Sequence, residues 1–317
     1  MSAQTIEQAM ILAAGQGVRA VPLSLVRPKP LFPLLNQPLI GHVLDLLAHH
    51  GITEVAINLH HLADKLEAYL ARLETPVKIR TLREPEILGT GGGVKNAEAF
   101  LKDGPFILIN SDVKIDLDLS QVVRDHMAHR PMATLVLHDY PRFNQVAVDP
   151  AGWIVGFRGK MSGALATGRS LAWRRLAFTG VHVVEPEVLS WLPPGRSDII
   201  AAYQRIVGEG GLIRAYVADE LAWWDAGTLK DYLRLHADLL SSRTDNLVAD
   251  PSASISPGAR VNGWACLGPG AVVEDGAVVE NSILWPGASV KAGVRVRDSV
   301  LTDGARAKSD IISGAVI

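Results

Sequence analysis

A repeat at the C-terminal end of the chain restricts its fold more than any other feature. From residue 253, a small residue is followed two positions later by an aliphatic one, with a spacing of six residues. The pairs are Ala253/Ile255, Ala259/Val261, Ala265/Leu267, Ala271/Val273 and Ala277/Val279, and after a change of register Ala288/Val290, Val294/Val296 and Ala305/Ala307. Pro-Gly pairs separate them. A six-residue period is typical of one side of a parallel β-helix coil, so residues 247–317 predict a domain of roughly three to four coils.

The remaining 1–246 region has a different pattern, in which short Val/Ile/Leu runs alternate with amphipathic stretches. The runs predict buried strands at residues 9–13, 55–59, 77–82, 106–110 and 133–137. The stretches predict helices at 39–50, 61–73, 93–101 and 119–129, and later at 186–191, 198–207 and 229–240. Alternation of this kind predicts a doubly wound, mostly parallel, Rossmann-like α/β sheet that binds ligands beyond the carboxyl ends of its strands. A polar linker at 243–246 separates the two predicted domains.

Composition narrows the class of protein. Thirty-one Lys and Arg face thirty-three Asp and Glu, for a net charge of −2, and 48% of the residues are hydrophobic. This balance excludes a disordered chain and argues against nucleic-acid and membrane partners. No apolar run reaches the length of a membrane span, the N-terminus has no signal-peptide pattern, and Cys266 is a single cysteine, so we expect a cytoplasmic protein. The ten histidines form no ligand pattern for a metal.

The end of the first predicted strand carries the first chemical motif. Leu12-Ala13-Ala14-Gly15 continues through Gly17 to Arg19, and Lys29 follows between two prolines. A glycine-rich turn after a strand exposes backbone N–H groups that can bind a polyphosphate, and Arg19 and Lys29 can add charge-assisted bonds. Taken alone, this turn fits a purely structural turn equally well, since it lacks the third glycine of the dinucleotide motif and the G-K-[ST] of a P-loop.

Four further segments make the pattern specific. They are Gly89-Thr90-Gly91-Gly92-Gly93, the strand that ends at Asp112, the element Phe157-x-x-Lys160, and Trp224-Asp225-x-Gly227-Thr228. Together with the first turn, and in this order, they resemble the signature of the sugar-1-phosphate nucleotidylyltransferases. The resemblance covers nearly the whole chain, because members of that family also carry a short C-terminal left-handed parallel β-helix of hexapeptide repeats.

The resemblance implies a role for each motif. The residues that would bind the nucleotide are Leu12, Ala13, Ala14, Gly15, Gly17, Gly89, Thr90 and Gly91. Arg19 and Lys29 would neutralise the triphosphate and Lys160 the sugar phosphate, while Asp112 and Asp225 would hold Mg²⁺. Thr179 and Gly180 would contact the sugar. The reaction needs no general base because the nucleophile is already a phosphate anion, so charge neutralisation dominates.

The motifs constrain the identity of the nucleotide base and of the sugar less than they constrain the reaction class. Gly159 replaces an acidic residue of the family pattern, and Phe178-Thr179-Gly180 stands where many members have Asn-x-Gly. The latter resembles the N-acetylmuramate-1-phosphate uridylyltransferases, whereas Asn110-Ser111-Asp112-Val113 and the β-helix resemble the mannose-1-phosphate guanylyltransferases. We expect GTP and mannose 1-phosphate as substrates, with Glu84, Glu86 or a loop carbonyl as an acceptor for the guanine N–H groups.

Two other classes of function stay open. Hexapeptide β-helices also occur in acyltransferases, which use a histidine on the β-helix, but no histidine follows His236. A non-catalytic nucleotide-sugar sensor would keep the fold without turnover. Ser111, which stands where most family members have glycine, and Gly159 leave room for it, whereas Arg19, Lys29 and both aspartates favour an enzyme. We expect the β-helix to join subunits into a homo-oligomer, because its end coils expose unpaired backbone.

Overall fold

The computed structural model describes residues 6–161, 173–218, 221–241, 243 and 245–317. Their contacts define two compact units, which are described separately here. Unit 1 contains the described residues up to Gly15 and those from Val43 to Trp223. Unit 2 contains Gln16–His42 and the described residues from Trp224 to Ile317.

Unit 1 is built on a mixed sheet, in which ten of the described strands take part. Eight strands lie in the order Lys160–Met161, Ile154–Phe157, Asn144–Val148, Arg174–Val184, Phe106–Asn110, Gln8–Leu12, Glu54–Leu59 and Lys78–Arg83. Ala133–His138 pairs with Arg174–Val184 and with Ile213–Val217. A further short strand is Val113–Ile115.

Parallel pairing is confined to part of that sheet. The first strand, Gln8–Leu12, pairs in parallel with Glu54–Leu59 and with Phe106–Asn110, as the alternating pattern predicts. Arg174–Val184 runs antiparallel to its neighbours on both sides. The prediction of an α/β sheet is confirmed, and its second half is more antiparallel than we expected.

The helices fall close to the predicted positions. They are Leu39–His49, Ala63–Leu70, Gly89–Asn96, Glu98–Leu101, Leu119–His129 and Ile199–Gly208, with a 3-10 turn at Pro186–Trp191. Asp118 and Asp198 cap two of them by accepting hydrogen bonds from the backbone N–H of Ser120 and Ile200, at 2.9 and 3.0 Å. The sheet forms one buried cluster with the helices Gly89–Asn96, Glu98–Leu101 and Ile199–Gly208 and the turn Pro186–Trp191, and this cluster includes Met10, Phe106, Leu135, Phe157 and Tyr203. This core holds the carboxyl ends of the parallel strands in place.

Unit 2 contains the β-helix together with short elements from the N-terminal part of the chain. Its strands are Leu247–Ala249, Ser254–Ile255, Arg260–Leu267, Val272–Val273, Val278–Leu284, Ser289–Val290, Arg295–Arg297, Val300–Leu301, Arg306–Ala307, Ile311–Ile312 and Ala315–Val316. All pairs among them are parallel, with Val261, Val279 and Val296 in register. The aliphatic residues of the repeat fill the interior. The predicted β-helix is confirmed, and its left-handedness stays a prediction.

The other elements of unit 2 pack with this β-helix. They are the 3-10 turn Val18–Ala20, the helical turn Leu23–Val26, the 3-10 turn Lys29–Leu31, the hairpin Pro33–Leu34 with Gln37–Pro38, and the helix Leu229–Ser241. A strand at Trp223–Asp225 precedes that helix. One buried apolar cluster joins Phe32, Leu34, Tyr232 and Leu235 to Ile283 and Trp285.

The contacts therefore divide the chain differently from the predicted boundary between residues 246 and 247. That boundary marks a change in secondary structure, whereas residues 16–42 and 224–241 pack with the β-helix. Within the described ranges, no helix is long and apolar enough to cross a membrane.

Candidate functional site

The carboxyl ends of the parallel strands in unit 1 are joined by a buried hydrogen-bond network. The backbone N–H of Ala13 donates to Asn58 Oδ1 at 2.8 Å, and Asn58 Nδ2 donates to Glu84 Oε1 at 2.7 Å. The other carboxylate oxygen of Glu84 accepts from the backbone N–H of Leu88 at 2.9 Å. Both side chains are buried, so this network fixes the turn after the first strand to the loop before Gly89.

This network gives Glu84 a supporting role and reveals a residue that sequence reasoning missed. Each oxygen of Glu84 already accepts one hydrogen bond inside the protein, so Glu84 supports the loop, and its role as an acceptor for guanine stays a prediction. Glu86 is exposed and stays a candidate. Asn58 was not predicted, although a polar residue inside the strand Glu54–Leu59, among Val, Ala, Ile and Leu, is a signal that could have found it.

The glycine-rich segment predicted to bind the nucleotide forms the start of the helix Gly89–Asn96. Gly89 has a φ of +72°, and a Cβ atom there would lie 2.6 Å from the Ser197 carbonyl oxygen. The Gly91 N–H donates to that same oxygen at 2.9 Å, and the Thr90 hydroxyl donates to Asp198 Oδ1 at 3.1 Å. The glycines therefore allow close backbone packing against residues 195–198, and the Gly91 N–H is already engaged there.

Unit 2 contains the charged cluster formed by Arg19, Lys29 and Asp225. Arg19 lies 3.3 Å from Asp225 Oδ2, and Lys29 Nζ lies 3.5 Å from Asp225 Oδ1. The Lys29 side chain is only 8% exposed, whereas that of Arg19 is 56% exposed. The Asp225 carboxylate thus lies between two cations, and the exposed Arg19 side leaves the cluster open to a charged ligand.

Gly227 is a residue of this cluster that we did not assign. A Cβ atom at this position would lie 2.6 Å from an Arg19 guanidinium nitrogen and 2.7 Å from Asp225 Oδ2. A side chain at this position would therefore displace the ends of Arg19 and Asp225 from their present contact. The signal was present in the Trp-Asp-x-Gly-Thr segment, which we used only for its aspartate.

Asp112 lies in unit 1, just beyond the strand Phe106–Asn110 that neighbours the first strand. The preceding Ser111 N–H donates to the Leu12 carbonyl at 3.1 Å, so the backbone before Asp112 lies beside the predicted nucleotide turn. Lys160 lies in the edge strand Lys160–Met161, and its side chain is outside the described part of the structure.

The predicted sugar-contacting pair lies in the long strand Arg174–Val184. The Thr179 hydroxyl is buried and donates to the Val136 carbonyl at 2.9 Å, so it is used within the sheet. Gly180 has a φ of +87°, and a Cβ atom there would lie 2.5 Å from Asn110 Nδ2. Asn110 thus packs directly on Gly180, and the sugar-binding role of both Thr179 and Gly180 stays a prediction.

Aromatic side chains surround this pair on one side. Trp223 Nε1 donates to the Thr179 carbonyl at 3.0 Å, and the His138 ring lies 4.9 Å from that of Trp223. Tyr140 and Phe143 complete the group with stacked rings 5.6 Å apart. Burial lowers the pKa of His138 from its ordinary value, so it is neutral at pH 7. The sequence pattern gave no indication of this group, because Trp223 lies far along the chain from the segment that carries the other three rings.

The donor set fits a hard divalent cation that is bound partly through substrate. Among the described residues, no three His, Cys, Asp or Glu side chains are grouped as metal ligands. Mg²⁺ commonly uses one or two protein carboxylates and completes its coordination with phosphate oxygens and water. Asp112 in unit 1 and Asp225 in unit 2 each offer oxygen donors of this kind, and their binding of one cation stays a prediction.

Comparison with known proteins identifies the family. Residues 8–242 match the family described as "Nucleotidyl transferase". The mannose-1-phosphate guanylyltransferase of Mycobacterium tuberculosis is 30% identical over 87% of this chain and 79% of its own length. The UTP–glucose-1-phosphate uridylyltransferase of Synechocystis is 27% identical over 88% of this chain and 82% of its own length. The mannose-1-phosphate guanylyltransferase 1 of Arabidopsis thaliana is 28% identical over 87% of this chain and 79% of its own length. The family predicted from the glycine turns and the two aspartate segments is thus confirmed, and the chain belongs to the nucleotidyl transferase family.

Proposed function

We propose that the protein is a sugar-1-phosphate nucleotidylyltransferase that converts GTP and mannose 1-phosphate into GDP-mannose and pyrophosphate. The observation that supports it best is the Asp225 carboxylate held between Arg19 and the buried Lys29. The two guanylyltransferase relatives support the choice of substrates.

The reaction brings two anions together. A phosphate oxygen of the sugar 1-phosphate attacks the α-phosphorus, and the bond from that phosphorus to the bridging oxygen of the leaving pyrophosphate breaks. Lys29 and Arg19 face the triphosphate in this proposal and neutralise the charge that accumulates on pyrophosphate. Lys160 holds the incoming sugar phosphate, and the Asn58–Glu84 network holds the backbone turn at Ala13 for the nucleotide. No side chain has to remove a proton.

We assign the metal ligands to Asp112 and Asp225. When bound, Mg²⁺ supplies charge neutralisation at the α-phosphate and orients the attacking oxygen. As the Asp225 carboxylate is shared with two cations in this structure, we expect the exposed Arg19 side chain to turn toward the polyphosphate when it binds, while Lys29 stays in its turn.

A first experiment tests the reaction class. Purified protein is mixed with Mg²⁺, GTP and mannose 1-phosphate, and pyrophosphate release is followed with a coupled enzyme assay. A parallel panel replaces the sugar with glucose 1-phosphate and N-acetylmuramate 1-phosphate. Release in any combination excludes the sensor, whereas its absence in all of them would contradict the enzymatic function.

A second experiment tests the base. Because one relative, from Synechocystis, is named as a uridylyltransferase, UTP is the alternative to GTP as the nucleotide substrate. A thermal-shift screen with GTP, UTP, CTP, ATP and dTTP plus Mg²⁺ separates them, because a ligand that binds only the folded protein raises its melting temperature. A shift with UTP and none with GTP would refute the guanylyl assignment and leave the reaction class intact.

We also propose that the protein works in the cytoplasm, where nucleoside triphosphates are available, and as a homo-oligomer joined through the β-helix. Its end coil carries the exposed Ile312 and Ile317, at 56% and 58% exposure. Light scattering measures the mass, and a monomer at micromolar concentration would contradict the oligomer.

A further inference from the structure

The segment that carries Lys29 is attached to the β-helix on both sides of that residue. We call residues 22–36 the Lys29 segment. On one side, Arg27 Nε donates to Asp303 Oδ2 at 3.0 Å, and a second guanidinium nitrogen donates to the other oxygen of that carboxylate. The same guanidinium lies 4.9 Å from the centre of the Trp285 ring. Two β-helix residues thus hold one end of the segment through a bidentate ion pair and a cation–π contact.

The other side of the segment is attached through its hairpin. Asn36 Nδ2 donates to the Leu267 carbonyl at 2.8 Å, and the Cys266 thiol lies 3.3 Å from Asn36 Oδ1. Burial raises the pKa of Cys266 to about 12, so this contact is made by a neutral thiol at pH 7. Both ends of the Lys29 segment therefore have β-helix partners.

The middle of the segment packs into the same surface. Phe32 is fully buried, with its ring 5.1 Å from that of Trp285 and 5.6 Å from that of Tyr232. The Tyr232 hydroxyl donates to the Pro33 carbonyl, and Trp285 Nε1 donates to that hydroxyl at 3.2 Å. These contacts fix the backbone directly after Lys29 through a chain of buried groups.

The Lys29 side chain has little freedom to compensate for a shift of the backbone that carries it. Its 3-10 turn is closed by the Phe32 N–H, which donates to the Lys29 carbonyl at 3.0 Å, and Arg27 donates to the Leu31 carbonyl at 3.3 Å. Pro28 and Pro30 further restrict the turn. With its side chain buried, the position of the ammonium group follows the position of the turn. A displacement of Arg27 or Phe32 therefore moves the charge.

We propose that the β-helix positions Lys29 for the polyphosphate, with Asp303 and Trp285 as positioning residues that act through Arg27 and Phe32. The inference rests on the proposed function, because Lys29 is the residue assigned to the triphosphate. It gives the β-helix a role in substrate binding within its own chain, in addition to any role in assembly.

The test uses Asp303→Asn, which removes the ionic contact and leaves the apolar packing. The matched control, Glu274→Gln, breaks the ion pair with Lys291 elsewhere on the β-helix. Calorimetry with Mg²⁺ and inorganic pyrophosphate gives a dissociation constant that does not depend on the base. Because the Arg27 side chain is 20% exposed and the Asp303 side chain 39%, we expect about fivefold weaker binding for Asp303→Asn. We expect the wild-type value for the control.

Kinetics add a readout that a general loss of structure would not give. The KM for the triphosphate should rise by a similar factor in Asp303→Asn, with the KM for the sugar phosphate unchanged. Asp303→Glu, which keeps the charge, should recover part of the loss. If Asp303→Asn proves unstable by circular dichroism, Arg27→Lys tests the same contact with the charge kept but the bidentate geometry lost.

A double-mutant cycle tests whether Asp303 acts on pyrophosphate affinity through Lys29. In a Lys29→Met background, Asp303→Asn should cause no further loss of pyrophosphate affinity, since the residue that it positions is gone. An equal loss in both backgrounds, or wild-type affinity in Asp303→Asn alone, would overturn the inference. Failure of the proposed function looks different: wild-type protein would release no pyrophosphate from any triphosphate, while its pyrophosphate affinity would still report on Asp303.

Discussion

Lowering the pH should destabilise the main sheet through one buried histidine. His182 lies in the strand Arg174–Val184, where its Nδ1 is 2.8 Å from the Tyr203 hydroxyl and its ring packs edge-on against Phe178. Burial lowers the pKa of His182 from 6.5 to about 3. The folded protein therefore excludes a proton that the unfolded chain binds below pH 6.5. Stability from this residue is complete above pH 6.5 and is lost as the pH falls toward 3.

The size of the effect follows from the two pKa values. At pH 5 the unfolded histidine is mostly protonated and the folded one is not, so His182 lowers the free energy of unfolding by about 2 kcal/mol relative to pH 7. Burial also lowers the pKa of His236 to about 4, so the whole protein loses more than this. The contribution of His182 must therefore be isolated with a variant.

We expect His182→Gln to be less stable than wild type at pH 7 but to lose about 2 kcal/mol less on going to pH 5. Urea unfolding at both pH values, followed by circular dichroism, measures the difference. His49→Gln removes an exposed histidine and serves as the control, which should retain the wild-type loss. Equal losses in His182→Gln and wild type would show that His182 is not held neutral, and would refute the reasoning.

Three further predictions concern the charged cluster and its support. Asp112→Asn and Asp225→Asn should each lower turnover by about a hundredfold or more with the fold retained, because each removes an anionic metal ligand; substantial activity at saturating Mg²⁺ would remove that residue from the metal site. Gly227→Ala should raise the KM for the triphosphate, because the added methyl group meets both Arg19 and Asp225. Gly208→Ala is the control and should leave that KM unchanged, because a Cβ atom there meets nothing within 4 Å. Removal of residues 247–317 should yield an aggregating protein, because it uncovers the apolar cluster that they share with residues 16–42 and 224–241; a stable monomer by light scattering would contradict the packing.

Patterns that repeat along the chain were predictable from the sequence. The hexapeptide spacing of residues such as Val261 and Val279 reports directly on strands that stack in register, so it identified the β-helix. The strand ending at Asn110 was equally clear, because a buried parallel strand is a continuous apolar run. These features depend on local periodicity, which a single sequence displays in full.

Contacts between distant segments were not predictable in this way. Asn58 and Glu84 form one network although 26 positions separate them, and nothing in their spacing indicates it. The same holds for the ring contact between Trp285 and Phe32, because the position of Trp285 in the β-helix repeat does not indicate which distant residue packs against it. The boundary at residue 246 followed a change in composition, and composition does not record which segments share a core.

The composition of unit 2 has a consequence for how the protein is made. Arg27 and its partner Asp303 are 276 positions apart, and synthesis proceeds from the N-terminus. The Lys29 segment therefore leaves the ribosome well before the β-helix coil on which it packs. Contacts of such sequence separation carry a large entropy of loop closure and form late in folding. We therefore expect the Lys29 segment to reach its final position only after the coil that carries Asp303 has been synthesised.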